Sequence, residues 1–154
     1  MAANKTMKAK AKKKAAVRKS GGKDGGDLVS VFDELEGMLA VHVPPFKATS
    51  GGVRNKRDYH LTVPMPVVVA PNAYGGKPYP VALASLILQK GYVGFYYMPV
   101  YMVRGLKNKL APELAALLKG KSCFYVKEMT PEVRKGIKKA LELGKEFFCE
   151  KGWV

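Results

Sequence analysis

The apolar residues of the chain follow a helical period near both ends of the foldable region and a strand-like pattern between them. From Asp27 onward, apolar residues recur every three or four positions, and Asp27 or Ser30 can cap the start of a helix. The stripe consists of Val31, Phe32, Leu35, Met38 and Leu39. Pro44 and Pro45 end this predicted helix, because proline lacks the N–H that a further turn needs.

A second helix is predicted towards the end of the chain. Thr130 supplies an N-cap, Pro131 a first-turn proline and Glu132 a first-turn acid. The stripe that follows consists of Val133, Ile137, Ala140, Leu141, Gly144 and Phe148. A shorter helix is predicted between Pro112 at its first turn and Gly120 at its stop. Its stripe consists of Leu110, Leu114, Leu117 and Leu118.

The middle of the chain has strand character. Segments rich in Val, Leu, Ile and Tyr predict strands at residues 59–63, 67–70, 79–88, 92–102 and 122–127. Gly91 tolerates positive φ, so the residues around it mark a hairpin between the third and fourth of these. Both alternating sets of residues 81–88 are largely apolar, which predicts a central strand. The polar, basic residues 46–58 are predicted as a loop.

This order of elements predicts a two-layer α+β domain, with helices against one face of an antiparallel sheet. A length of 154 residues allows one such domain, which we place at residues 28–154. Residues 1–27 contain no Leu, Ile, Phe, Tyr or Trp, so they cannot bury enough apolar surface to offset the entropy of ordering. We therefore predict a disordered tail at residues 1–27.

Positive charge is concentrated in this tail. The chain has a net charge of +15, and nine cations against two anions fall within residues 1–27. Such an arm is expected to neutralise phosphates of DNA or RNA without regard to sequence and in a salt-sensitive way. The predicted nucleic-acid-binding residues are Lys8, Lys10, Lys12, Lys13, Lys14, Arg18 and Lys19. The alternative interpretation is a solubilising extension.

The compartment is predicted from what the chain lacks. Residues 1–20 are basic without the apolar stretch of a secretory signal, and no run reaches about 18 apolar residues. Cys123 and Cys149 are too few for a disulfide scaffold. We expect a soluble, cytoplasmic protein with free thiols and no membrane partner.

Aromatic residues give the body of the chain its candidate ligand site. Strand alternation sends Tyr92 and Tyr96 to one face of the sheet and Phe95 and Tyr97 to the other, so one set must point away from the helices. The predicted ligand-binding residues are Tyr96, Tyr97, Met98, Tyr101 and Tyr125. Such rings can bind a small ligand, stack bases or contact a protein, including a second copy of this chain. The alternative is that they are core residues.

Other sequence features give weaker indications of a functional site. Gly120-Lys121-Ser122 has the letters of a nucleotide-binding loop, but it lies between a helix and a strand, the reverse of the order that cradles phosphate. Cys123 is either a nucleophile with His60 or His42 as its base, or a small buried strand residue. Two His and two Cys without close pairs predict no metal site, and no cofactor is expected.

Four motifs in a fixed order support a family resemblance. They are Gly75-Gly76-Lys77-Pro78, Gly91-Tyr92-Val93 continuing through Phe95 to Met98-Pro99-Val100-Tyr101, Gly120-Lys121-Ser122-Cys123-Phe124, and Gly152-Trp153. Over residues 28–153 the chain resembles the YdhG-like family of small domains of unknown function. The resemblance implies a compact α+β fold with a curved antiparallel sheet, related to secretion-chaperone-like domains, and no transferable catalytic residues.

The resemblance also supplies an alternative function. Some YdhG-like proteins are proposed to act as frataxin-like iron chaperones, and iron is delivered by clustered carboxylates, which here means Asp33, Glu34 and Glu36. Our leading interpretation is instead a non-enzymatic binding domain, monomeric or homodimeric, with a tail that adds polyanion affinity. A cysteine-based enzyme around Cys123 is the third interpretation.

Overall fold

The structure, a computed structural model, describes residues 25–70 and 73–154. Its helices are α1 (Gly25–Ala40), α2 (Pro99–Met102), α3 (Pro112–Ala115) and α4 (Pro131–Glu150). Its strands are β1 (Lys47–Thr49), β2 (Asp58–Thr62), β3 (Ala82–Gln89), β4 (Tyr92–Tyr97), β5 (Leu118–Lys119) and β6 (Cys123–Val126). The seven cations predicted to bind nucleic acid lie outside the described residues. Helix α1 already begins at Gly25, so the folded region extends three residues before the predicted boundary at 28.

The strands form one curved, open, antiparallel sheet in the order β1-β2-β3-β4-β6-β5. The predicted α+β class is thereby confirmed. Strand β3 lies between β2 and β4, as its two apolar faces predicted. Gly91, with a φ of 94°, turns the β3–β4 hairpin.

The core lies between the sheet and its helices. One row of paired residues, Tyr59, Leu86, Phe95 and Phe124, crosses four strands and is buried throughout. Helices α1 and α4 contribute the other half of the same cluster: Phe32, Leu35, Leu39, Ile137, Leu141 and Phe148. The Tyr97 hydroxyl donates to the Ala140 carbonyl, which shows that α4 packs on this side of the sheet.

Local sequence chemistry explains where α4 begins and how it is fixed. The Thr130 hydroxyl accepts a hydrogen bond from the Val133 N–H at 3.1 Å, as its capping position predicted. Arg134 then forms an ion pair with Glu34 of α1. Capping and charge pairing therefore both define the first turn of this helix.

Several element boundaries differ from the sequence prediction. The strand predicted at 92–102 ends at Tyr97, because Pro99 begins the short helix α2. The predicted loop 46–58 contains edge strand β1, and segment 67–70 makes only an isolated bridge between Val67 and Tyr79. The helix opened by Pro112 stops after one turn, since Leu118 already pairs with β6. Within the described residues, no helix combines the length and apolar character needed to cross a membrane.

Candidate functional site

The sheet face opposite the core, called here the outer face, carries a polar and aromatic array. One row across the strands is His60, Ser85, Tyr96 and Cys123. The neighbouring row is Asp58, Ile87, Gly94 and Tyr125, and Gln89 pairs with Tyr92 beyond it. These residues alternate along their strands with the buried core residues, so their side chains point away from α1 and α4.

Two tyrosines are stacked at one end of the outer face. The rings of Tyr92 and Tyr125 lie 3.9 Å apart between centroids and within 7° of parallel. A hydrogen bond with the Tyr125 hydroxyl is the main reason that the pKa of Tyr92 rises to about 12. Both rings are only partly buried, so water reaches the stacked pair.

Gly94 leaves room for the ring of Tyr96, next to the stacked pair. It pairs with Tyr125 across the strands, and Tyr92 and Tyr96 flank it on the same face. A Cβ atom at Gly94 would lie 2.8 Å from Cε1 of Tyr96, closer than carbon atoms approach without a shift. The Tyr96 ring therefore lies over the bare backbone of Gly94, and a side chain there would force the ring to shift.

A cavity of about 430 Å³ adjoins the stacked pair at the edge formed by β5 and β6. Tyr125 lines it, together with Lys119 and Lys127. The remaining lining residues are Ala116, Leu117, Glu128, Thr130 and Val133. Lys119 and Lys127 are exposed and the lining has one carboxylate, Glu128, so the charged groups of the cavity have a net positive charge. Tyr125 lines the cavity and also belongs to the stacked pair.

The other end of the outer face holds a buried carboxylate. The Asp58 side chain is 1% exposed and accepts from the N–H groups of Gly51 at 2.5 Å and Val53 at 2.7 Å. Burial raises the pKa of its carboxyl, but hydrogen bonds from His60, Gly51 and Val53 outweigh burial and leave that pKa below its ordinary value. Asp58 is therefore a fixed carboxylate, and through His60 it is connected to Ser85.

The cysteine predicted as a possible nucleophile is not set up as one. Burial raises the pKa of the Cys123 thiol more than a hydrogen bond with the Tyr96 hydroxyl lowers it. His60 lies in the same row three strands away, which at about 4.8 Å per strand separates the two backbones by about 14 Å. His42 is buried near Glu142 and Lys145 of α4, on the helical side of the sheet.

The five residues predicted to bind a ligand do not form one site. Tyr96 and Tyr125 lie on the outer face. Tyr97 is fully buried in the core, where its hydroxyl bonds to α4. Met98 is half-buried beyond the end of β4, and its N–H donates to Leu83 at 3.1 Å. Tyr101 is 59% exposed on α2, with the Lys121 ammonium 5.7 Å from its ring centroid.

Sequence reasoning assigned no role to Asp58, Ser85 and Gln89 of the outer face, and it considered His60 only as a base for Cys123. The spacing of Asp58 and His60 in β2, and of Ser85 and Gln89 in β3, follows the two-residue period of one strand face. This two-residue spacing is the sequence signal from which these outer-face residues could have been predicted. Gln89 also accepts a hydrogen bond from the Lys56 ammonium at 2.5 Å, which ties the preceding loop to this face.

The acidic cluster of α1 is engaged in ion pairs. Arg57 bonds to Asp33 at 2.6 Å and to Glu36 at 2.7 Å, and Arg134 pairs with Glu34. In the part of the chain that the structure describes, no group of three or more His, Cys, Asp or Glu side chains is arranged to hold a metal ion.

Comparison of this chain with family models, curated proteins and solved structures finds no match. The resemblance to the YdhG-like family therefore stays a prediction from the four motifs.

Proposed function

We propose that this protein is a non-enzymatic binding domain that takes single-stranded nucleic acid on its outer face. The observation that carries the proposal is the stacked pair Tyr92–Tyr125 beside a cavity flanked by Lys119 and Lys127. Aromatic rings with nearby cations are the elements that proteins use to bind single strands without strong sequence preference.

Each part of this site matches one part of a nucleotide. A base exposes a flat π surface, and Tyr125 offers a partly exposed ring already held parallel to a second ring. Phosphates are anionic, and Lys119 and Lys127 line the same cavity as Tyr125. A duplex hides its base faces by stacking, so we expect it to use only the charge and to bind more weakly.

The lysine-rich tail adds a second, less selective component. Seven net positive charges within residues 1–27 are expected to contact phosphates of single strands and duplexes alike. Affinity from this source falls steeply with salt, because it comes from the release of condensed counterions. Tail and outer face are therefore distinguishable by salt dependence and by strand preference.

The aromatic part is tested in the full-length protein by fluorescence anisotropy with a fluorescein-labelled oligothymidylate of about twelve nucleotides. Tyr125→Leu removes the ring and keeps an apolar side chain. Stacking on an aromatic residue contributes about 1–3 kcal/mol per base, so we expect a loss of affinity of about 5-fold to 150-fold. Tyr101→Leu, at an exposed tyrosine outside this site, is the matched control and should bind as the native chain does.

The charged part is tested with two double variants of equal net charge. Lys119→Gln with Lys127→Gln removes the cavity's cations, whereas Lys135→Gln with Lys139→Gln removes two exposed cations of α4. The first pair should weaken single-strand binding more than the second and should lower the salt slope by about 0.7 per lost phosphate contact.

A third variant replaces Lys8, Lys10, Lys12, Lys13, Lys14, Arg18 and Lys19 with Gln in the full chain. It should weaken the binding of single strands and of duplexes alike, without a preference for single strands. If the native chain binds both forms equally and Tyr125→Leu changes neither affinity, the outer face is not the binding surface. Binding would then belong to the tail or to another basic patch.

Iron handling remains the alternative that the YdhG-like resemblance implies. The ion pairs of Asp33, Glu34 and Glu36 with two arginines weigh against it, since iron would have to displace a cation from each carboxylate. Calorimetric titration with ferrous ion tests this alternative. Stoichiometric binding that weakens when the three carboxylates are changed to amides would favour it over the nucleic-acid proposal.

A further inference from the structure

Three hydrogen-bonded side chains on the outer face have no part in the nucleic-acid site proposed above. Oδ2 of Asp58 lies 3.0 Å from Nε2 of His60, and Nδ1 of His60 lies 2.9 Å from Oγ of Ser85. We propose that this chain of contacts makes Ser85 a nucleophile that accepts an acyl group from an activated acyl ester. The inference is independent of nucleic-acid binding.

The geometry determines where the protons lie. An ionised carboxylate can only accept hydrogen bonds, so Nε2 of His60 carries the proton that points to Asp58. In the neutral ring, Nδ1 then has a lone pair and accepts from the Ser85 hydroxyl. The N–H groups of Gly51 and Val53 hold the carboxylate in place, so the imidazole is oriented before any substrate arrives.

The step follows the logic of a serine nucleophile with an adjacent base. The Ser85 oxygen attacks the ester carbonyl carbon and forms the new O–C bond, while its proton passes to Nδ1 of His60. Asp58 stabilises the imidazolium that results. The bond from the carbonyl carbon to the leaving oxygen then breaks, and that oxygen takes the proton from Nδ1. The products are acyl-Ser85 and a free alcohol, with no change of oxidation state.

The position of Ser85 makes both its acylation and the hydrolysis of the acyl-serine slow. Ser85 lies within β3, which pairs with β2 on one side and β4 on the other. The amide groups of this described strand are used in those two ladders and are not available to stabilise an oxyanion, the role that backbone N–H groups fill in acyl-transfer enzymes. We therefore expect slow, stoichiometric acylation of an activated ester, with an acyl-serine that persists.

The test uses the full-length protein and p-nitrophenyl acetate, with acetylated peptides identified by mass spectrometry. Ser50, which is exposed and lacks a histidine partner in the described contacts, is the internal comparison. We expect Ser85 to be acetylated at least about tenfold faster than Ser50, since a positioned general base contributes about 10²–10⁴-fold. Acetylation of lysine is separated by peptide assignment.

Two variants complete the experiment. His60→Gln should slow acetylation of Ser85 by about a hundredfold or more. Lys135→Gln, at an exposed position of α4 outside the relay, should leave it unchanged. Equal rates at Ser85 and Ser50 in the native protein would overturn the proposal without any variant. An undiminished rate in folded His60→Gln, checked by circular dichroism, would also overturn it.

Discussion

A glycine in the middle of α4 offers a sharp test of the packing between helix and sheet. Gly144 is buried, and a Cβ atom there would lie 2.7 Å from Cδ1 of Leu83, 2.9 Å from Cγ of Pro99 and 3.0 Å from the Tyr97 hydroxyl. Leu83 and Tyr97 are fully buried, so neither side chain can swing into solvent to make space. Gly144→Ala should therefore strain the core.

Two opposing terms set the magnitude of that change. Alanine is favoured over glycine inside a helix by about 1 kcal/mol. Adding a methyl group to a packed core costs about 1–3 kcal/mol. The net change in the free energy of unfolding of Gly144→Ala should thus range from almost none to a loss of about 2 kcal/mol, according to how far Leu83 can move.

Gly37 supplies the control that isolates the packing term. It lies inside α1, and a Cβ atom there would meet nothing within 4 Å, so Gly37→Ala should stabilise the protein by about 1 kcal/mol. Gly136 of α4 is intermediate, because its Cβ would lie 3.2 Å from the Cβ atoms of Ala111 and Leu114. Stability should therefore fall in the order of the variants at 37, 136 and 144.

The assay is guanidinium unfolding of the full-length chain, followed by far-ultraviolet circular dichroism, with the slope checked for constancy. The difference between Gly144→Ala and Gly37→Ala should be about 1–3 kcal/mol, which equals the packing cost. If both variants stabilise the protein equally, the close approach of α4 to β3 and β4 is wrong.

Three further outcomes are expected. Thr130→Ala should lower the free energy of unfolding by about 1 kcal/mol, because the Val133 N–H loses its capping acceptor, and Thr130→Ser should not. The folded-state pKa of Asp58 lies below its ordinary 3.8. Its ionised carboxylate therefore contributes fully to the free energy of unfolding above pH 3.8, and this contribution is lost as pH falls through the folded pKa. Asp58→Asn should destabilise the protein by about 1–3 kcal/mol at neutral pH and by less at about pH 3. In Cys149→Ser protein, the pH midpoint for alkylation of Cys123 by iodoacetamide should lie above that of an unfolded reference peptide, because burial raises the thiol pKa.

Sequence reasoning predicted the elements with strong local signals. The cap at Thr130, the hairpin at Gly91 and the central position of β3 each follow from chemistry within a few residues, and each is confirmed. Strand β1 was missed because three exposed residues beside a glycine pair carry no alternation of their own. Its strand conformation comes from pairing with β2, a contact that only the folded sheet provides.

The candidate site was harder to predict because alternation separates two faces without saying which is buried. Tyr96 and Tyr97 are adjacent and chemically alike, yet Tyr97 bonds to Ala140 inside the core and Tyr96 lies on the outer face. The Ser85–His60 contact depends on the register of β2 against β3, which includes an irregularity after Leu61. Such long-range register is set by the whole sheet.

The two proposed activities share a surface but not a mechanism, and the sheet explains why. Ser85 on β3 and Tyr125 on β6 are two strands apart and lie in different rows, so at about 4.8 Å per strand their backbones are about 10 Å or more apart. Each of the two residues lies on a strand whose opposite face packs into the core. Neither side chain therefore depends on a mobile loop for its position. Changes at sites this far apart that share no hydrogen bond usually add independently. Coupling between Tyr125→Leu and acetylation of Ser85 would therefore mean that the outer face responds as one cooperative unit, which its separate hydrogen-bond systems do not predict.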